Sequence, residues 1–329
     1  MTQAPSALSR RNLFKATALG AGVIAAPQIL VRAAQAEAPM AAVLPAAFKR
    51  FSLGEFEITV LSDGHRVVEN PHGIFGMNTS QDDVEALLTD SYLPVDKMQF
   101  TFAPTLVNTG AELILFDTGN GEGGRPGGVG QTLANLKASG YTPEQVSIVV
   151  LTHMHGDHIG GLMEGGAPTF PNARYIAGQA EYDFWSSEDR IGTPAENGHK
   201  NMVGKVVPLA DKMSFIADGE SVTGGVTAMA AFGHTPGHMI YRLESGGRNL
   251  ILTADTANHF LLSLARPDWE VRFDMDKSAA AATRKSVFDM IATDRLAFVG
   301  YHMPFPSVGF VEKMDGGYRY IPETYQLDL

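Results

Sequence analysis

Thr152-His153-Met154-His155-Gly156-Asp157-His158, followed by Ile159-Gly160-Gly161, places three imidazoles and a carboxylate within six residues. Residues 146–151, just before it, are short, apolar and rich in β-branched side chains, so they read as a buried strand. The polar cluster therefore sits on the loop leaving that strand, where binding and catalytic groups tend to collect. Neutral imidazole and carboxylate are the donors that suit zinc and its borderline neighbours. His153 and His155, one residue apart, can both turn to one ion if the backbone bends; Asp157 and His158 extend past it, where they could hold a second. The donors are too dense to read as surface histidines with no shared task.

Three later residues belong with them. His234 opens His234-Thr235-Pro236-Gly237-His238 after the strand-like residues 226–231; Asp255 follows the apolar residues 250–252; His302 follows residues 296–299. Each lies just past the C-terminal end of a predicted strand, so a common sheet edge would bring all three to the first cluster.

Residues 1–36 differ from the rest. They carry Arg10, Arg11, Lys15 and Arg32 and no acidic residue, with an apolar, Gly- and Ala-rich run after the basic start and Ala34-Gln35-Ala36 for cleavage. This pattern resembles a twin-arginine export signal. It implies the twin-arginine machinery as a partner, cleavage after Ala36 and a bacterial protein that is periplasmic or secreted. The apolar run is shorter than the ~20 residues of a spanning helix and contains Gly20, Gly22 and Pro27, so no stable membrane insertion is expected after cleavage. Residues 37–50, with Pro39 and Pro45, read as a linker, and 51–329 as one domain.

Cysteine is absent, which excludes disulfides, thiolate ligands and a thiol nucleophile. The chain carries a net charge of −11, and removing the four cations of the leader leaves −15 on the remainder. Such an anionic body argues against nucleic acid as a partner. A small-molecule substrate is expected.

Residues 56–61 alternate as a strand, 69–100 read as irregular with a short helix near 82–88, and strands are predicted at 105–108 and 112–116. The glycine-rich residues 119–130 lack the endings of a phosphate-binding loop and read as a mobile pocket wall. Helices are predicted over 131–139, 180–186, 195–205 and 276–293, a strand at 174–177, successive antiparallel strands across 212–253, and a last strand at 296–299.

In order, His153, His155, Asp157, His158, His234, Asp255 and His302 match the pattern His-x-His-x-Asp-His, His, Asp, His, and from residue 54 onward the chain resembles the metallo-β-lactamase superfamily of hydrolases. Within it the chain is similar to methyl parathion hydrolase, through Leu53-Gly54-Glu55-Phe56-Glu57-Ile58-Thr59, Leu61-Ser62-Asp63-Gly64, Asp183-Phe184-Trp185, the His234–His238 block and His302-Met303-Pro304-Phe305-Pro306. The resemblance implies an α/β (α+β) fold, the metallo-β-lactamase-like αββα four-layer sandwich, and a homodimer. It also implies two divalent metal ions, taken as Zn2+, with His153, His155 and His234 on the first, Asp157, His158 and His302 on the second, and Asp255 bridging. Asp117, in Asp117-Thr118-Gly119, would steady a ligand imidazole from behind, or merely cap its turn.

Two divalent ions about 3.5–4 Å apart share a water, lower its pKa and polarise a carbonyl or phosphoryl oxygen. The expected reaction is hydrolysis of small esters, lactones or phosphotriesters by a metal-bridging hydroxide, with Asp157 or Asp255 as the catalytic carboxylate that relays a proton to the leaving group. Other readings stay open: a lactonase proper with incidental phosphotriesterase activity, a mononuclear iron enzyme oxidising sulfur, or a non-catalytic metal-binding module. Acyl-homoserine lactonases place a Tyr three residues after the bridging Asp, where this chain has Asn258, and residues 119–130 hold no aromatic of the kind methyl parathion hydrolase has there. His238 is expected to pack or support rather than ligate, His65, His72 and His199 to be loop residues, and His259, Phe75, Phe184 and Trp185 to be candidates for lining a pocket.

Overall fold

Two seven-stranded sheets face one another with helices outside. The structure, a computed structural model, describes residues 46–324. The leader at 1–36 lies outside the described residues, as does most of the linker.

The first sheet opens with β1 (Phe48–Leu53) and β2 (Phe56–Leu61), joined at Gly54, whose φ of +59° and backbone contact with Ser245 leave no room for a Cβ. Next, β3 (His65–Glu69) leaves the sheet, and after α1 (Gln81–Asp90) the chain returns as β4 (Lys97–Thr101), pairing antiparallel with β3. The chain re-enters with β5 (Thr105–Asn108) and β6 (Leu113–Phe116), then α2 (Thr132–Ala138) leads to β7 (Ile148–Leu151). A single turn, α3 (Gly156–Ile159), and the small pair β8 (Met163–Glu164) and β9 (Ala167–Pro168) precede β10 (Arg174–Gly178). Helices α4 (Gln179–Ser186) and α5 (Glu196–Lys205) then cover the outer face, and β11 (Met213–Ile216) closes the sheet in the order β1-β2-β5-β6-β7-β10-β11.

The second sheet runs in sequence order. It comprises β12 (Ser221–Thr223), β13 (Val226–Ala230), β14 (Met239–Ser245), β15 (Arg248–Ala254), then, after α6 (Leu262–Ala265) and α7 (Lys277–Thr293), β16 (Ala297–Gly300), β17 (Val308–Met314) and β18 (Gly317–Pro322). Asp276 caps α7 by accepting from Ala279 N (2.9 Å).

Burial explains the unbroken apolar run at β7. Ile148 and Val150 point inward, joining Ile58, Val60 and Val107 against Tyr241, Leu243, Leu250 and Leu252 of the other sheet. Val149 and Leu151 point outward onto Leu136, Trp185 and Met202 of the helices. A strand covered on both faces has no polar side to alternate with. The second sheet is covered likewise, with Val287, Phe288 and Ile291 of α7 on Ile240, Ile251 and Phe298.

Several expectations are corrected. The linker read as 37–50 ends earlier, because Phe48 already pairs with Leu61. Residues 69–100 are less irregular than read, since the β3–β4 pair brackets them; partners so far apart leave no hairpin signal. β11 joins the first sheet parallel to β10 and is not part of the antiparallel run. The strand at 296–299 is followed by two more, hidden from sequence by Pro304, Pro306 and Gly309. Gly309 is needed there because a Cβ would meet the Tyr320 ring at 2.5 Å.

Candidate metal centre

At the C-terminal end of β7, Thr152 is fastened to Asp117, at the end of the parallel neighbour β6: its N–H donates to Oδ1 (2.8 Å) and its hydroxyl to Oδ2 (2.7 Å). That anchor fixes where the loop bends. His153 and His155 then turn inward and α3 presents Asp157 and His158. Gly160 and Gly161 follow because residues 118–120 cross directly over them; a Cβ at Gly161 would lie 2.2 Å from Thr118 O, and one at Gly160 2.4 Å from Asn120 O.

All seven residues read from sequence come together. Donor atoms of His153, His155, His234 and Asp255 form one group, and those of Asp157, His158 and His302 another, each group with its donor atoms within 4.8 Å of one another. His153 Nε2 and His234 Nε2 lie 3.1 and 3.0 Å from His155 Nδ1. A tetrahedral ion with bonds of about 2.0–2.1 Å sets its ligand nitrogens about 3.3 Å apart, close to this spacing. Asp255 stands between the groups: Oδ2 is 3.3 Å from His234 Nε2 and 3.1 Å from His302 Nε2, while Oδ1 is 3.2 Å from His158 Nε2. Both His158 Nε2 and Asp255 Oδ1 are buried without a hydrogen-bond partner. Buried polar atoms without partners are costly, and a cation between them would satisfy both, so the residues fit a divalent metal.

Behind the ligands stands a layer of fixing contacts. Asp117 Oδ2 accepts from His158 Nδ1 (2.8 Å), so the turn aspartate does steady a ligand imidazole. His234 Nδ1 donates to Asp274 Oδ1 (2.9 Å), and the other oxygen of Asp274 takes the buried Arg284 guanidinium (2.7 Å). His302 Nδ1 donates to Thr101 O (2.8 Å). Each of these bonds fixes the tautomer that leaves the opposite nitrogen free to ligate. Tyr301 stacks on His158 at 3.9 Å between ring centroids, and its hydroxyl donates to Asp157 O (2.6 Å). His238 supports and does not ligate: Nδ1 donates to Ala231 O, and Nε2 accepts from Asp255 N.

The site's own charges favour a cation. Burial lowers the pKa of His153 and of His155 well below the usual value, and neighbouring imidazoles add to this. Burial works the same way on His158, but Asp255, Asp117 and Asp157 outweigh it and raise the pKa well above normal. For His234 burial is again outweighed, by Asp255 and Asp274, and the pKa rises to about 9. Burial would raise the pKa of Asp255, yet His302 and His158 pull it well below the carboxylate range. Carboxylates here thus demand positive charge, which metal ions can supply while the imidazoles remain neutral.

Above the centre lies a cavity of about 450 Å³, floored by His155, Asp157, Asp255 and His302 and walled by Phe100, Phe102, Phe273, Val68, Arg66 and Asn120. A larger cavity, about 540 Å³, meets only His302 of the seven; His65, Val67, Gln99 and Thr101 of the β3–β4 pair line it, with His259 and Phe260 opposite. The β3–β4 pair is a partition, with Arg66, Val68 and Phe100 facing the centre.

Other expectations fare unevenly. His199 is buried on α5, its Nδ1 donating to Trp185 O, and is no loop residue. Trp185 and Phe75 are core residues, and neither lines the cavity over the centre. Residues 119–130 are pinned: Asn120 N and Gly130 N donate to Asp63 Oδ2 and Thr132 N to Oδ1, so the glycine-rich loop cradles the protein's own carboxylate. Sequence reading missed the aromatic wall, Asp274 with Arg284, Tyr301, and Glu181. Glu181 is fully buried; burial raises its pKa, and its hydrogen bonds from Thr235, Met154, Trp185 and Gly237 offset part of that rise.

Comparison with known proteins points one way. The sequence profile of the family described as Metallo-beta-lactamase superfamily matches residues 104–302. An N-acyl homoserine lactonase from Bacillus sp. is 31% identical over 124 residues, 37% of this chain and 43% of that protein. An atrochrysone carboxyl ACP thioesterase from Passalora fulva is 28% identical over 162 residues, 48% of this chain and 39% of that protein. The matched stretch thus spans less than half the length of these curated relatives. Among solved structures, AidC, a dizinc quorum-quenching lactonase in complex with a product, superposes with a TM-score of 0.76 at 26% identity, over 85% of this chain and 98% of that one. The hydrolase AbOPH gives 0.78 at 29% identity, over 86% and 99%.

Proposed function

Because the chain belongs to the metallo-beta-lactamase superfamily and is a metal-dependent hydrolase, we propose that it cleaves small neutral esters, lactones or phosphotriesters with two Zn2+ ions. The observation that carries this is Asp255, set between two donor groups with an oxygen and a facing imidazole nitrogen both left without partners. His153, His155 and His234 would hold one ion, Asp157, His158 and His302 the other, with Asp255 shared. Bound there, the ions would supply Lewis acidity to a carbonyl or phosphoryl oxygen and acidity to a water between them.

The chain's own residues do the rest. Phe100, Phe102 and Phe273 offer an apolar wall for an acyl or aryl group, replacing the aromatic that residues 119–130 lack. Asp157 is the ligand carboxylate open to the cavity, its side chain 25% exposed against 4% for Asp255. It is placed to pass a proton to the leaving-group oxygen. Asn258 spends its amide on Asp255 Oδ2 (3.0 Å), so the position where acyl-homoserine lactonases carry Tyr serves here to orient the shared carboxylate. That favours esters, simple lactones and phosphotriesters of the methyl parathion hydrolase type over acyl-homoserine lactones. The paired arginines and apolar run of the leader support export by the twin-arginine route and a periplasmic location.

Elemental analysis of the purified protein, with a panel of a lactone, an aryl ester and a phosphotriester, tests the proposal. The expected result is two zinc ions per chain and hydrolysis abolished by chelation. One iron per chain with no hydrolysis would replace this reading with oxidation chemistry.

A further inference from the structure

Two ligand loops come from opposite sheets, and a single buried side chain joins them. The loop after β7 carries His153 and His155; the loop between β13 and β14 carries His234. Between them, at the start of α4, stands Glu181, fully buried. Its Oε1 accepts from Met154 N (2.8 Å), the residue between His153 and His155, and from Trp185 Nε1 (2.7 Å). Its Oε2 accepts from Thr235 Oγ1 (2.7 Å), next to His234, and from Gly237 N (2.9 Å). Each oxygen takes two donors, which fills the accepting capacity of a carboxylate. An amide in its place would turn N–H groups toward donors. Backbone contact tightens the same junction, since a Cβ on Gly237 would lie 2.1 Å from Glu181 N.

We propose that Glu181 is a positioning residue for the first metal half-site: by binding Met154 and Thr235 with its two oxygens, it sets the spacing of His153 and His155 against His234. The observed outcome of that tie is His234 Nε2 at 3.0 Å from His155 Nδ1, across two sheets. The second half-site has a tie of its own, from the Tyr301 hydroxyl beside His302 to Asp157 O, and further supports in Asp117 and Thr101 O; among the described residues Glu181 bonds none of Asp157, His158 and His302. Glu181 therefore acts on one half-site and not the other. The inference rests on the two-ion reading above.

The test uses metal-free full-length protein titrated with Zn2+ against a chelating indicator, with Co2+ absorption spectra as a second readout. Glu181→Gln and Thr235→Val should each weaken one Zn2+ binding step by about 10–100-fold, the usual effect of losing a ligand's outer support, and leave the other step unchanged. Their Co2+ spectra should change in the band of that site alone. Trp185→Phe, which removes the Glu181 donor that lies on neither loop and keeps an aromatic ring beside His155, should leave both steps unchanged. Wild-type affinities in both variants would overturn the proposal, as would equal weakening by Trp185→Phe and Thr235→Val. If Glu181→Gln does not fold, Thr235→Val decides. Wild-type protein that binds one ion would refute the two-ion reading alone; the effect of Thr235→Val on that ion would still decide the role of Glu181.

Discussion

The two halves of the candidate metal centre are held by different means. His153, His155 and His234 are backed by buried carboxylates, Glu181 with its four donors and Asp274 with His234 and Arg284. In the second half only His158 has such a support, in Asp117; His302 donates to Thr101 O on β4, and Asp157 keeps a quarter of its side chain exposed. The first half is an anchor whose geometry is over-determined, and the second is where a substrate has room to arrive. Rigidity and access have been divided between the two halves.

Asp255 belongs to both halves, so its loss is the severest test. Asp255→Ala should lower kcat/KM by about 10³-fold or more and release one ion, read by steady-state kinetics and elemental analysis; full activity with unchanged metal content would break the comparison. Asp274→Ala strikes the anchor. It frees His234 to rotate and leaves the Arg284 guanidinium, 1% exposed, without its carboxylate. Removing one partner of such a pair costs about 3–5 kcal/mol, measurable by denaturant unfolding, and an effect as small as that of a surface substitution would show that the anchor is soft.

A smaller effect is expected behind the partition. Burial holds His259 neutral and lowers its pKa to about 3, whereas in the unfolded chain it titrates at its ordinary value of 6.5. Between those values the unfolded state binds the extra proton, so this contribution to stability is complete above pH 6.5 and is lost as the pH falls toward 3. At pH 5 the loss is about 2 kcal/mol. Urea unfolding of His259→Gln from pH 7 to 4 should show a flatter dependence on pH than the parent, and identical slopes would refute the assignment. Least of all, Tyr301→Phe removes one hydrogen bond to Asp157 O while keeping the ring on His158. Its cost is about 1 kcal/mol, and any loss of metal should be confined to the more exposed half-site.

The candidate ligands were legible in the sequence because their chemistry is rare and their placement regular: imidazoles and carboxylates just past strand ends, four of them within six residues. Their supports were not. Glu181 meets Met154 across 27 residues, Asp274 meets His234 across 40, and Tyr301 meets Asp157 across 144. Each is an ordinary residue type with no local pattern around it, and only the packed sheets bring it to its partner. The aromatic wall was hidden for the same reason. Phe100 belongs to a strand whose partner lies on the far side of α1, Phe102 follows that strand, and Phe273 lies in a stretch without regular structure. The fold followed from the strand pattern except at its margins, where β11 is short and half-exposed and the C-terminal hairpin is broken up by proline and glycine.

The division of ligands between the sheets also fixes an order in time. Four come from the loop after β7, and the remaining three, His234, Asp255 and His302, from loops of the second sheet. A chain still emerging from the ribosome has no complete half-site until the second sheet begins to form, and the last donor follows β16. A metal ion held by both groups would thus report a chain folded through His302.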